Sequence, residues 1–259
     1  MKNIQLIIAY KGTRYAGWQR QPNALTVEEV LTGAIEDVTG EAVTLYGSGR
    51  TDAGVHALGQ SANFHTHSRV PPERFAVAIN TRLPGDIRVL SSCEAPEGFH
   101  SRYSAKGKVY TYQLYLNPVS SPFYAEYSWH IHYPVDVSRM KAASVAFLGE
   151  HDFRGFMAAG SSVRGTVRTI RAIAFEQEGA LLRMTYTGNG FLYNMVRIMT
   201  GTLAEIGMGR IKAEALPGII ASCERKQAGN TAPPPGLFLR GGQNLKKIKK
   251  TGKKKKKKK

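Results

Sequence analysis

Cysteine is scarce. Cys93 and Cys223 are the only two in the chain and stand far apart, which excludes a disulfide framework and any paired-cysteine zinc cluster. A chain so poor in cysteine fits a reducing, cytoplasmic setting. Long apolar runs are missing too: nothing approaches the roughly 18 uninterrupted apolar residues of a membrane span. The stretch from Ile4 to Tyr10 is too short for a signal-peptide core and reads as a first strand. Acids are few, with 19 Asp and Glu against 36 Lys and Arg, for a formal charge of +17. Eleven of those lysines lie between Lys246 and Lys259 without an acid among them, so the rest of the chain carries +6 (17 − 11). The segment 243–259 reads as a disordered, solvated tail able to attract phosphates without regard to sequence. The body's own surplus is moderate and keeps nucleic acid among the candidate partners.

What the chain does have is a repeated order of elements. A strand at 4–10 precedes a Gly/Pro/Asn loop, and Thr26 with Glu29 then forms a capping box ahead of Val27, Val30, Leu31, Ala34, Ile35 and Val38. Gly40 closes that helix. Strands follow at 43–46 and 60–67, a helix at 71–83 and a strand at 87–94. The second part repeats the series: a strand at 108–117, a helix at 138–148, a hairpin from 167 to 187, a long helix at 189–208, a shorter one at 213–223 and a last strand at 236–240. Each half reads β-α-β-β-α-β. The predicted fold is α/β (α+β), with two such RRM- or ferredoxin-like halves, 1–104 and 105–242, whose mainly antiparallel sheets flank a basic cleft. Sheets of this shape can stack bases on aromatics. Tyr110, Tyr112, Tyr115, Tyr186, Phe191 and Tyr193 are the rings available, and most of them are expected in the core or at its rim.

The chemistry-bearing stretch is Gly47-Ser48-Gly49-Arg50-Thr51-Asp52-Ala53-Gly54-Val55-His56. Glycines let backbone approach a ligand closely. Arg50 and Asp52, two apart, share a face if the stretch is extended. A carboxylate beside a guanidinium is expected to keep a low pKa and stay ionised, which suits a nucleophile better than a general acid. On local chemistry alone, a structural ion pair is the better explanation of Asp52, and a surface turn is the ordinary one. His65 and His67 lack acid or cysteine partners and read as exposed strand residues rather than metal ligands. Asp52 with His56 has no Ser or Cys elbow to serve. Gly201 reads as a point of close helix packing.

GRTDAGVHA (49–57), with GWQRQ (17–21) before it, resembles the signature of the tRNA pseudouridine synthases of the TruA type. LPGDI (83–87), FHSRYSAKGKVYTYQLY (99–115), DFRGF (152–156), NGFLYNMVRIMTGTL (189–203) and TAPPPGLFL (231–239) follow in that family's order. The resemblance spans all but the tail. It implies an isomerase that converts uridine to pseudouridine at positions 38 to 40 of the tRNA anticodon stem-loop, acting as a homodimer without cofactor or metal. It also implies roles: Asp52 as catalytic nucleophile, Arg197 as its charged partner, Arg50 in base flipping, and Tyr110 as the ring that stacks on the target uracil. A scaffold that only binds RNA, or a relative with other target uridines, would share these motifs. One position departs from the pattern, since Tyr10-Lys11-Gly12-Thr13 carries lysine where the family has aspartate.

Overall fold

The computed structural model describes residues 1–160, 163 and 165–242; the lysine-rich segment 243–259, read above as a disordered tail, lies outside the described residues. Alternation sets the first strand: β1 (Lys2–Tyr10) buries Ile4, Leu6, Ile8 and Tyr10 on one face. Helix α1 (Val27–Thr39) begins where Thr26, in extended backbone, accepts the N–H of Glu29, and ends at Gly40 in the left-handed region (φ 71°). Its stripe of Val27, Leu31, Ala34 and Ile35 is buried, and each large side chain there contributes roughly 1.5–3 kcal/mol. The first half is completed by β2 (Tyr46–Gly47), β3 (His56–Thr66), α2 (Phe75–Asn80) and β4 (Ile87–Ala95).

The second half opens with β5 (Lys108–Leu116), β6 (Trp129–Ile131), α3 (Val137–Ser144) and β7 (Gly149–Asp152). It continues through the hairpin of β8 (Val167–Glu178) and β9 (Leu181–Gly188), then α4 (Met195–Gly207), α5 (Leu216–Ser222) and β10 (Leu237–Gly242). Several expected boundaries move: the strand expected at 60–67 runs from His56 to Thr66, and the helix expected at 71–83 is confined to Phe75–Asn80. The strand expected at 43–46 pairs only at Tyr46 and Gly47. The helix expected from 189 starts at Met195, because Asn194 sits in left-handed backbone (φ 58°) that no helix interior admits.

In the first half the strands lie in the order β4-β1-β3-β2, and in the second β10-β5-β9-β8. With the short β6 and β7 set aside, both orders are fourth, first, third, second counted within each half. The two sheets join edge to edge into one of ten strands, because β10 runs parallel to β3 (Phe238 opposite His56, Leu239 opposite Ala57) and antiparallel to β5 (Leu237 opposite Tyr112, Leu239 opposite Tyr110). One hydrophobic core accordingly passes through both halves. Tyr112 and Tyr186 belong to it, fully buried, with their hydroxyls bonded to the Pro233 carbonyl (2.6 Å) and to Thr200 Oγ1 (2.8 Å). Neither ring is available to a ligand. Gly201 allows the segment 230–232 to cross α4 at backbone distance, since a Cβ there would collide with the Asn230 carbonyl. The junction strand also brings the start of β3 beside Tyr110 of β5.

Candidate active site

The loop 48–55 is bound along its whole length before it reaches any ligand. The Ser48 N–H donates to the Ser61 carbonyl (2.8 Å), and Gln60 Nε2 donates to the Gly49 carbonyl (2.5 Å). Thr51 Oγ1 meets the Tyr10 hydroxyl at 2.8 Å, while the Thr51 carbonyl accepts the Trp18 N–H. The Asp52 carbonyl accepts the Val55 N–H and closes the turn. Gly17 (φ 95°) lies against Thr51 and Asp52 so closely that a Cβ would strike the Thr51 carbonyl. A carboxylate on such a loop is held in place by backbone, which is the preorganisation that reactive groups need.

Asp52 is 22% exposed and its Oδ2 lies 3.5 Å from Nη1 of Arg197, on α4 of the other half. Arg197 is fixed by two further bonds: Nε donates to the Ala232 carbonyl (2.7 Å) and Nη1 to Asn194 Oδ1 (2.7 Å). The Ala232 N–H in turn donates to the Arg197 carbonyl. The left-handed Asn194, just ahead of α4, therefore aims its amide at the guanidinium. The expectation of a low pKa for Asp52 is corrected here. Burial raises it above the ordinary carboxylate value, and Arg197 offsets only part of that rise. The local sequence displayed the charges but not the loss of water.

Asp52 and Asn194 border a cleft of about 970 Å³ lined from both halves, with Arg197 behind them. Asp52, Arg50 and Tyr110 all face it, together with Phe191 and Tyr193. Tyr110 is 7% exposed, its ring meets Phe191 edge-on at 5.3 Å, and burial with the nearby Asp52 carboxylate pushes its hydroxyl pKa upward. Arg50 is exposed and has no ion pair among the described residues. The structure thus brings Asp52 and Arg197 into contact and sets Arg50 and Tyr110 on the same cleft. Tyr115 faces elsewhere, stacked on Tyr124 at 5.0 Å.

Sequence reasoning gave no role to Asn194, Gly17 or Lys108. All three lie inside quoted motifs, but the backbone angles of Asn194 and Gly17 and the surroundings of Lys108 carry no mark in the sequence. Lys108 opens the strand of Tyr110 and also lines the cleft. His56 is a brace rather than a base: its Nδ1 accepts the Gly12 N–H (3.0 Å), leaving Nε2 to donate to the Glu126 carbonyl (3.0 Å). Burial lowers its pKa, which keeps the neutral ring that both bonds require. Lys11, the residue that departs from the family pattern, pairs with Glu126 at 2.6 Å and adds a second tie to the same loop. Among the described residues no group of three or more His, Cys, Asp or Glu could hold a metal ion, and no helix is long and apolar enough to cross a membrane.

Comparison with known proteins places this arrangement in company. The family described as tRNA pseudouridine synthase matches residues 6–104 and 143–241. The protein called tRNA pseudouridine synthase A of Acetivibrio thermocellus is 48% identical over 239 residues, covering 92% of this chain and 98% of its own length. Its namesakes in Ruminiclostridium cellulolyticum (48%) and Thermoanaerobacter sp. strain X514 (46%) align over the same shares of both chains. Among solved structures, an archaeal box H/ACA sRNP complex aligns with 91% of this chain and 45% of its own. Its 13% identity and TM-score of 0.36 make that likeness too weak to carry weight.

Proposed function

Since the chain belongs to the tRNA pseudouridine synthase family, we propose that its cleft isomerises uridine at positions 38 to 40 of the tRNA anticodon stem-loop, with Asp52 as the nucleophile. The observation that carries this reading is the Asp52–Arg197 pair, a carboxylate and a guanidinium 3.5 Å apart that come from different halves and meet at one cleft. The isomerisation breaks the bond from C1′ to N1 and forms one from C1′ to C5. The C5 proton is lost and N1 gains one, so the reaction is redox-neutral and balances without a second substrate. A target base in a stem or loop stack must first be extruded. Arg50, long, planar and exposed at the cleft, fills the vacated place while touching phosphate. The Tyr110 ring supports the uracil while it is detached and turned.

Asp52 needs its negative charge to attack. Burial works against that charge, and the Arg197 guanidinium supports it as an ion pair in a site partly shielded from water. Asn194 and the Ala232 carbonyl keep the guanidinium aimed, so they act through Arg197 rather than on the substrate. The same reading takes 1–104 and 105–242 as two domains that each supply one wall of the cleft, and takes the protein as a cytoplasmic homodimer. Light scattering of the purified chain tests the dimer.

The decisive experiment maps pseudouridines in a tRNA transcript treated with wild-type protein and with Asp52→Asn. Wild type should modify positions 38 to 40, whereas Asp52→Asn should bind the transcript and modify none. Substantial turnover by Asp52→Asn would falsify the assignment of the nucleophile. Binding without turnover by wild type would favour a scaffold that only holds RNA.

A further inference from the structure

The wall of the cleft contains a lysine that its surroundings do not explain. Lys108 begins β5 two residues before Tyr110, so both side chains leave the same face of the strand, about 6.6 Å apart along it. The lysine lies across Gly49, where a Cβ would stand 2.6 Å from Nζ and 3.1 Å from Cε. Only the missing side chain at residue 49 gives the ammonium its place. The positions directly opposite it carry no charge, since Lys108 faces Gly188 on β9 and Gly242 on β10.

The charges that do face Lys108 have its own sign: Arg102, ahead of β5, and Arg168 on β8. The loop of Gly49 adds Arg50, while its one acid, Asp52, is committed to Arg197. Among the described residues no carboxylate forms an ion pair with Lys108. Burial, reinforced by the two arginines, brings its pKa down to about 8. A withdrawn ammonium facing other cations is costly to the folded state, and such groups are ordinarily paired. What would pair with it is an anion entering through the cleft.

We propose that Lys108 holds a phosphodiester of the substrate RNA next to the nucleotide whose base lies on Tyr110, with Arg102 as the outer half of the clamp. The inference rests on the reading of the cleft as an RNA-modifying site. One strand would then fix a nucleotide at two points, its base by the ring and its backbone by the ammonium. Contacts of this kind set register and carry no sequence information.

The test measures binding of a fluorescent tRNA transcript to wild type, Lys108→Met and Lys108→Arg, across a salt series and a pH series. Lys108→Met should bind more weakly at low salt, and its slope of log affinity against log salt should be shallower by about 0.7–0.9, the loss of one phosphate contact. Lys108→Arg should restore the slope. Wild-type affinity should decline as pH rises through about 8, and Lys108→Arg should hold its affinity over that range. A purely structural lysine would leave both the slope and the pH profile as they are in wild type. Equal slopes and equal pH profiles for wild type and a folded Lys108→Met, with melting checked in parallel, would overturn the proposal. Because binding needs no turnover, a wild-type protein that forms no pseudouridine would overturn the catalytic reading and leave the Lys108 result standing.

Discussion

Replacing Lys108 by methionine should make the protein more stable, by an amount that depends on pH in a way that can be worked out beforehand. The side chain goes from an ordinary pKa of 10.5 to about 8 in the fold, and each pH unit between the two is worth 1.36 kcal/mol. At pH 7 both folded and unfolded chains carry the proton, so the folded state bears the full penalty, about 3 kcal/mol. Between pH 8 and 10.5 the folded chain has released the proton and the unfolded chain has not, so wild-type stability rises with pH. Above 10.5 both are neutral and the penalty is gone. Methionine keeps the length of the stem and removes the charge, so its advantage over wild type should be greatest below pH 8 and shrink by about 3 kcal/mol by pH 10.5. Water entering the cleft makes that figure a ceiling. Urea unfolding of both proteins at matched pH values, from 7 to 10.5, measures the difference and cancels every other titrating group. An advantage that stays constant with pH would mean that Lys108 is fully solvated. One that grows with pH would mean that a carboxylate pairs with it.

Substitutions at four other positions separate packing from positioning. Gly201→Ala drives a Cβ into the Asn230 carbonyl and should cost about 1–3 kcal/mol; it should also lower turnover, because the displaced segment carries the Ala232 carbonyl that holds Arg197. Gly33→Ala, in α1 with nothing within 4 Å, should instead stabilise by up to about 1 kcal/mol, and thermal melts compare the pair. Asn194→Gly keeps the left-handed backbone and removes the bond to Arg197, so kcat should fall with little change in melting temperature; Asn194→Ala should add a stability loss of about 1–2 kcal/mol. Arg197→Met removes the influence that holds down the Asp52 pKa, so the acidic limb of kcat/KM against pH should move to higher pH, and an unmoved limb would show that another group titrates there.

Much of this was legible in the sequence, and the failures share a cause. The capped helix α1, the strands β1 and β5 and the loop of Asp52 are local patterns of period, cap and glycine, and they appear where the pattern puts them, whereas the short β6 and β7 have no pattern to announce them. Tyr110 and Arg197 were named by motif, and the second was then found against the carboxylate. The charge state of Asp52 was misjudged because a neighbouring arginine is visible in the chain and burial is not. Asn194 and Lys108 went unremarked for the same reason: one matters through a left-handed backbone angle, the other through the company it keeps in three dimensions. Lys11 breaks a local rule, and its answering acid, Glu126, is too distant in sequence to be seen beside it. Nothing near residue 56 or residue 238 announces that they will be parallel neighbours, so two sheets were expected where one is continuous.

That parallel pairing has a consequence for how the protein is made. Residue 56 leaves the ribosome long before residue 238, and until β10 arrives β3 and β5 have no strand between them to join the halves. The loop of Asp52 can acquire its bonds to β1 and β3 early, but the brace on Arg197 waits for residue 232 and the cleft's second wall for 237–242. A nascent chain therefore completes its chemistry last, after closing a loop of some 180 residues, a step whose entropy cost grows only slowly with length but which delays folding. A chain that stops before β10 lacks the strand that joins β3 to β5, so the cleft is assembled only when the last strand is in place.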